Sequence, residues 1–149
     1  MKIYVDADAC PKAIKEVLYK VAERKKIELI LVADQYFKVP YSQYIQFIRV
    51  KSNLDAADNK IAELVEVNDI VITADIPLAD KAVTKKAFAL NPRGELYTER
   101  NIKERLAIRD MMQEFRDNGM ETGGPPPFND RNRQNFTNQL NSLICKLTK

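Results

Sequence analysis

The sequence of 149 residues contains no histidine and no tryptophan. Histidine is the commonest general base and a common zinc ligand, so its absence argues against histidine-based ribonuclease chemistry and against a zinc centre. Only two cysteines are present, Cys10 and Cys145, and their number and separation favour reduced thiols over a disulfide. With no histidine to activate it, Cys10 is expected to be a small packed residue and not a nucleophile.

The chain also lacks a run of about 18 apolar residues and a basic-then-apolar leader. We therefore expect no membrane span and no signal peptide, and a cytoplasmic location. Its length predicts one domain. The net charge of +3 comes from residues 85–149, which hold 12 Lys and Arg against 8 Asp and Glu. This excess suits a polyanionic partner, although it is below the density of a dedicated nucleic-acid binder.

Apolar runs of strand length alternate with segments of helical periodicity. The strand-like runs cover residues 3–5, 29–33, 45–50, 70–73 and 88–90. The helix-like segments cover about 11–24, 52–65, 75–86, 98–117 and 130–146. This alternation predicts a three-layer α/β/α fold around a mostly parallel sheet of four to five strands.

The predicted single domain has three parts. They are a core over about 1–118, a Gly- and Pro-rich connector over about 119–128 and a C-terminal helix over about 129–147. That last helix could cover its own domain or a second copy, so a homodimer through it is one expectation.

Five aspartates are expected near the carboxyl edge of the sheet. Asp6 and Asp8 follow the first strand, and they would point to the same side if the strand continued to residue 8. Asp75 follows the fourth strand, and Asp58 and Asp80 lie in the early turns of two helices. Because ligands bind beyond the carboxyl ends of parallel strands, these acids are candidate site residues.

An oxygen-only set of this kind favours Mg²⁺ or Mn²⁺ over zinc. Three aspartates have an alternative interpretation as helix N-caps: Asp8 for the first helix, Asp55 for the second and Asp75 for the third. Asp6 fits that interpretation least, since an unpaired carboxylate ending a buried strand is costly. Asp69 begins the strand that Asp75 follows, and it is excluded because roughly 20 Å would separate the two.

Three further features have two interpretations each. Arg93, in a turn, could contact a phosphate or be an ordinary exposed turn residue. The aromatic residues around 36–44 could stack on nucleic-acid bases, but packing is the commoner use. The polar stretch 129–135 could line a nucleic-acid path, and we favour its being the polar start of the last helix. The aromatic set is Tyr36, Phe37, Tyr41 and Tyr44.

Four blocks of the sequence are distinctive: residues 5–11 (VDADACP), 73–79 (TADIPLA), 91–94 (NPRG) and 123–128 (GGPPPF). Together they resemble the YaiI/YqxD family of bacterial proteins, and the resemblance covers nearly the whole chain. It implies a domain similar to the PIN-like nuclease fold.

In the PIN-like pattern one acid follows the first strand, one lies on a helix and one or two follow the fourth strand. The residues that resemble these positions are Asp6, Asp58, Asp75 and Asp80. Asp8 is an extra acid, and Thr73 resembles the small hydroxyl residue often found two positions before the later acid.

The leading hypothesis is a Mg²⁺- or Mn²⁺-dependent hydrolase of phosphodiester bonds, with RNA favoured over DNA. Asp6 and Asp75 would be direct ligands, and Asp8, Asp58 and Asp80 would bind a second ion or orient water. Asp6, Asp75 and Asp58 form the candidate catalytic set, and Thr73 and Arg93 are the candidate substrate-binding residues. The alternatives are a haloacid-dehalogenase-type phosphatase with Asp6 as nucleophile, and a non-catalytic RNA-binding module.

Overall fold

The computed structural model of the protein describes residues 1–51, 56–124 and 126–148. In that part of the chain one sheet contains six strands: β1 (Lys2–Asp6), β2 (Glu28–Ala33), β3 (Ile45–Arg49), β4 (Ile70–Ile72), β5 (Phe88–Leu90) and β6 (Leu96–Tyr97). They lie in the order β3-β2-β1-β4-β5-β6, and only β6 runs antiparallel. The predicted α/β class with a mostly parallel sheet is confirmed. The strand count of four to five misses β6, because a two-residue strand carries no periodicity.

The two central strands mark the place where the chain changes direction across the sheet. The chain moves outward from β1 through β2 to β3, and it then returns to the other side of β1 as β4. Val5 of β1 pairs with Ile72 of β4, so the two strands end side by side. A crevice beyond the carboxyl ends of the strands is expected at such a switch in strand order.

Five α-helices are described along with the sheet. They are α1 (Lys12–Lys25), α2 (Ala56–Leu64), α3 (Ile76–Thr84), α4 (Glu99–Asp117) and α5 (Asp130–Leu147). Helix α4 begins after the capping box of Thr98 and Asn101, close to the predicted bound. The expected earlier start of the second helix, with Asp55 as its cap, lies outside the described residues.

The helices cover both faces of the sheet in a three-layer arrangement. On one face α1 and α5 pack on alternate residues of β1 and β2, and the fully buried Phe136 and Leu140 of α5 belong to this core. On the other face the core contains residues of α2 and α3 with Ile102 of α4. The apolar face of α5 therefore covers its own domain, which removes the structural basis for a homodimer through that face.

Helix α4 is less buried than its periodicity predicts. Ile102 is buried, but Leu106, Met112 and Phe115 are only partly covered, and Met111 is exposed. The apolar stripe of a helix can be recognised in a sequence, but whether another part of the protein packs against that stripe cannot. Over the described residues, no helix combines the length and the apolar character that crossing a membrane requires.

Candidate functional site

Asp6 stands at the end of central strand β1 and is half-buried. Its Oδ2 accepts a hydrogen bond from the Thr73 hydroxyl at 3.3 Å. The Thr73 side chain is 1% exposed, and its Oγ1 in turn accepts from the backbone N–H of Asp75 at 2.9 Å. The Thr73 hydroxyl therefore donates to Asp6 and accepts from Asp75. Thr73 thus ties the carboxylate after β1 to the backbone after β4.

The electrostatic surroundings of Asp6 favour its neutral form. Burial raises the pKa of Asp6, and hydrogen bonding to Thr73 opposes this. The negative charge of Asp75 raises that pKa again, hydrogen bonding to Asp58 lowers it, and Asp8 raises it further. Among the described residues, the groups that set this pKa include no lysine or arginine.

Asp58, in the first turn of α2, brings a second carboxyl group to Asp6. Two ionised carboxylates are both acceptors, so a hydrogen bond between them requires a proton on one of them. A cation between the oxygens would satisfy both in the ionised state. The assignment of Asp58 to the same site as Asp6 stays a prediction.

Asp75 combines two of the interpretations offered by its position. It is the N-cap of α3, and its Oδ1 accepts from the backbone N–H of Leu78 at 2.9 Å. The predicted capping role is confirmed. Its negative charge also acts on Asp6, so the cap residue belongs to the same acidic group.

Asp8 does not occupy either of the positions predicted for it. Strand β1 ends at Asp6 and a short 3₁₀ turn follows, so strand alternation does not reach Asp8. It does not cap α1 either, since the N-cap there is Pro11 without a side-chain bond. Instead, Asp8 Oδ2 accepts from Asp34 N–H at 2.8 Å and Oδ1 from Gln35 N–H at 3.5 Å. Asp8 anchors the loop after β2 while its charge still acts on Asp6.

Two other acids lie apart from this group. Asp80 lines a groove between α3 and α4 with Glu99 and Lys103. It is not among the described groups that shift the pKa of Asp6. Asp69 is buried at the amino edge, where it accepts from the backbone N–H groups of Lys2 and Glu66. The exclusion of Asp69 from the site agrees with this position.

The donor chemistry fits a hard cation, but the acids are not gathered into a closed cage. In residues 1–51, 56–124 and 126–148, no three Asp, Glu or Cys side chains are grouped so that they could hold a metal ion. Mg²⁺ is usually bound by one or two carboxylates and keeps several waters. The pair formed by Asp6 and Asp58, with Asp75 nearby, supplies oxygen ligands of that kind.

The same edge carries Arg93, in the turn after β5. The side-chain oxygen of Asn91 accepts from the Arg93 backbone N–H at 2.7 Å. The guanidinium donates to Asn132 Oδ1 at 3.4 Å and lies 5.9 Å from the ring centre of Phe128. Asn132 also forms the capping box of α5 with Asn129, so the polar stretch is the start of that helix, as favoured from the sequence.

Comparisons with known proteins identify the family. The model of the "Uncharacterized BCR, YaiI/YqxD family" matches residues 4–146. The chain belongs to this family. It is 53% identical to a UPF0178 protein of Colwellia psychrerythraea over 149 residues, covering 100% of this chain and 99% of that one. It is 54% identical to a UPF0178 protein of Maridesulfovibrio salexigens, covering 98% and 97% of the two chains. No solved structure matches the chain, and the PIN-like character of the fold stays a prediction.

In this YaiI/YqxD family member, two neighbouring grooves share Tyr36, and the first of them lies next to the acidic group. The first, of about 480 Å³, is lined by residues that include Asp8, Lys15 and Phe37. The second, of about 550 Å³, is lined by residues that include Arg49 and Lys51. The aromatic residues were candidates from the sequence, but the basic side chains of Lys15, Arg49 and Lys51 were not. Lys15 lies on α1 and the other two at or just beyond the end of β3, so their proximity has no signal in the sequence.

Cys10 is packed beneath this edge as predicted. It is 7% exposed, and burial raises the pKa of its thiol to about 12. Cys145 is exposed, and both cysteines are free. A thiol with so high a pKa is protonated at neutral pH and is a poor nucleophile.

Proposed function

We propose that this protein is a Mg²⁺- or Mn²⁺-dependent phosphodiesterase that cleaves nucleic acid at the carboxyl edge of its sheet. The observation that carries the proposal is the Thr73 side chain, whose hydroxyl joins the Asp6 carboxylate after β1 to the Asp75 backbone after β4. Hydrogen bonding to Asp58 and the negative charge of Asp75 also act on the pKa of Asp6. Burial and like charges make the ionised form of Asp6 costly, and a bound cation would offset that cost. The preference for RNA over DNA is based on the resemblance to PIN-like nucleases.

The residues that would hold the cation are Asp6 and Asp58, with water completing its coordination and the negative charge of Asp75 nearby. When bound, such an ion lowers the pKa of a water molecule and neutralises charge on the phosphoryl oxygens. Thr73 fixes the orientation of the Asp6 carboxylate through its hydroxyl. Arg93 would bind a phosphate of the substrate; the bond from its guanidinium to Asn132 at the same edge supports this role. With no histidine in the chain, proton transfer falls to carboxylates and water.

The phosphatase alternative is less favoured by the position of Asp8. In an Asp-x-Asp phosphatase, the second aspartate serves as the acid beside the nucleophile. Here the oxygens of Asp8 accept backbone N–H groups from Asp34 and Gln35, which holds the carboxylate toward the loop after β2. A role as anchor of that loop accounts for these bonds without catalysis.

The deciding experiment compares thermal unfolding with millimolar Mn²⁺ and with a chelator, followed by cleavage assays. A cation at 100 times its dissociation constant stabilises the fold by about 2.7 kcal/mol. For a chain of this length that corresponds to a rise in melting temperature of about 5–11 °C. The rise should vanish in Asp6→Asn and persist in Asp69→Asn, whose acid lies at the opposite edge.

The assays separate the three candidate functions. A phosphodiesterase cuts a labelled RNA oligonucleotide in Mn²⁺ and leaves a small phosphomonoester intact. Release of phosphate from the monoester, with a phosphoryl mimic trapped on Asp6, would replace the proposal by the phosphatase. Neither activity, together with no stabilisation by Mn²⁺, would leave a non-catalytic module.

A further inference from the structure

The two grooves on either side of Tyr36 form a continuous surface over the ends of β2 and β3. Tyr36, Gln35 and Asp34 line both of them. The first groove also contains Ala7, the neighbour of Asp6 in sequence, so it opens beside the acidic group. With volumes of about 480 and 550 Å³, each is large enough for a small ligand.

Tyr36 is an exposed aromatic ring with a fixed support. Its side chain is 69% exposed, although its ring meets Phe47 edge-on at 5.6 Å between ring centres and 72° between ring planes. Phe47 is held in turn by Phe37, at 4.9 Å and 85°. Contact through an edge leaves most of the Tyr36 ring open to solvent. Exposing a large aromatic ring gains nothing for the fold, and a supported one provides a stacking surface.

Basic side chains stand on both sides of Tyr36. The Lys15 ammonium lies 3.9 Å from the ring centre of Phe37 in the first groove. Arg49 and Lys51 line the second groove, and the Arg49 Nε donates to the carbonyl oxygen of Asp34 at 3.1 Å. The linings also contain two carboxylates, Asp8 in the first groove and Asp34 in both, so the three basic side chains exceed the acidic ones by one. The oxygens of Asp8 are already occupied by two backbone N–H groups.

We propose that Tyr36 is a base-stacking platform for single-stranded nucleic acid, with Lys15 on one side and Arg49 and Lys51 on the other contacting its phosphates. Single-stranded binding sites combine a basic groove with aromatic rings on which bases stack. The linings are mainly polar and charged, which fits a nucleotide chain better than an apolar peptide. That the bound nucleic acid continues to Asp6 and is cleaved there rests on the proposed function, whereas its binding at Tyr36 does not.

The test measures binding of a fluorescently labelled oligonucleotide of about ten nucleotides by fluorescence anisotropy. The buffer contains a chelator so that no metal-dependent cleavage occurs. Tyr36→Ala should weaken binding about 5- to 140-fold, the range expected for one stacked base. Tyr36→Phe keeps the ring and should bind within about twofold of wild type. Tyr41→Ala is the matched control, since Tyr41 is fully exposed and lies outside both groove linings.

A second pair of variants tests the phosphate contacts. The slope of log affinity against log salt is negative, and Lys51→Ala should make it shallower by about 0.7, the value for one phosphate contact on a single strand. Lys20→Ala removes an exposed lysine of α1 that lines neither groove and should leave the slope unchanged. Equal slopes in both variants would overturn the contact assigned to Lys51.

The remaining outcomes also decide the question. RNA and DNA arms identify which sugar is accepted, and binding of neither by the wild-type protein overturns the proposal. So does a Tyr36→Ala variant that binds like wild type, or a duplex that binds as tightly as the single strand. Binding measured in a chelator tests the stacking site alone, and cleavage measured in Mn²⁺ tests the catalytic role, so failure of one is distinguishable from failure of the other.

Discussion

The Thr73 hydroxyl donates a hydrogen bond to the Asp6 carboxylate at 3.3 Å, across the two central strands of the sheet. The donor is almost fully buried, and its own oxygen accepts the Asp75 N–H. One side chain therefore fixes the carboxylate after β1 and the start of α3. This link between strand ends makes Thr73 a structural and electrostatic support for the acidic group.

Replacing this hydroxyl by a methyl group should be costly. Thr73→Val keeps the shape but leaves the Asp75 N–H without its acceptor and Asp6 without its donor. We expect a loss of about 1–3 kcal/mol in the free energy of unfolding, measured by urea titration at neutral pH. Thr73→Ser keeps the hydroxyl and should retain stabilisation by Mn²⁺, which Thr73→Val should weaken. A Val variant as stable as wild type would show that the bond contributes nothing.

The pH dependence of stability should carry the signature of Asp6. Because burial raises its pKa in the folded state above the ordinary value of 3.8, the folded protein holds this proton more tightly than the unfolded chain. In the chelated protein the contribution of Asp6 to stability therefore falls as pH rises from about 3.8 to its raised folded pKa. Above that pKa the cost is fully present, and below 3.8 it is absent.

The variant Asp6→Asn removes this cost. It should raise the metal-free melting temperature at neutral pH by about 2–4 °C for each kcal/mol relieved, with no gain at acidic pH. Asp69→Asn is the control, since its carboxylate accepts two backbone N–H groups at the other edge, and this variant should be less stable. A lower metal-free melting temperature for Asp6→Asn would contradict the strained acidic group.

The acids that follow the two central strands could be predicted from sequence, because parallel strands end at a common edge. That reasoning places Asp6 and Asp75 correctly. It fails for Asp8, whose partners depend on a three-residue 3₁₀ turn that has no periodic signal. Pairing of Asp8 with the backbone after β2 is a long-range contact that spacing along the chain cannot reveal.

Burial was also harder to predict than helix position. The bounds of α4 and α5 follow from caps, a glycine stop and apolar spacing. Yet the apolar face of α5 is covered by its own sheet, whereas the later half of α4 has little cover. Similar apolar stripes on α4 and α5 are therefore buried to different extents, because the whole fold determines which surface each helix can pack against.

Two substitutions at Asp75 should separate capping from charge. Asn is as good an N-cap as Asp, so Asp75→Asn should keep the bond to Leu78 N–H and change stability little. Asp75→Ala removes the cap and should cost about 1 kcal/mol in urea unfolding. If Asp75 is also an oxygen donor to the cation, both variants should lose part of the stabilisation by Mn²⁺. Full Mn²⁺ stabilisation in Asp75→Asn would restrict this residue to its capping role.

Gly94 is the point at which the turn carrying Arg93 meets α5. Its φ is +100°, and a Cβ atom there would lie 2.7 Å from the carbonyl carbon and the Cβ of Asn135 and 2.8 Å from the Phe136 nitrogen. These include backbone atoms of a packed helix, so relief requires moving α5 or the turn. Gly94→Ala should therefore cost more than the backbone strain of about 1–2 kcal/mol alone.

The matched variant is Gly119→Ala. Gly119 also has a positive φ, +82°, but no described atom would lie within 4 Å of its Cβ, so only the strain applies. Urea unfolding should rank Gly94→Ala well below Gly119→Ala. Since Arg93 is next in sequence and bonded to Asn132, displacement of α5 should also weaken nucleic-acid cleavage through KM while leaving stabilisation by Mn²⁺ intact. Equal stability of the two alanine variants would show that the turn and α5 separate freely, and Arg93 would then lack the fixed position that a phosphate contact needs.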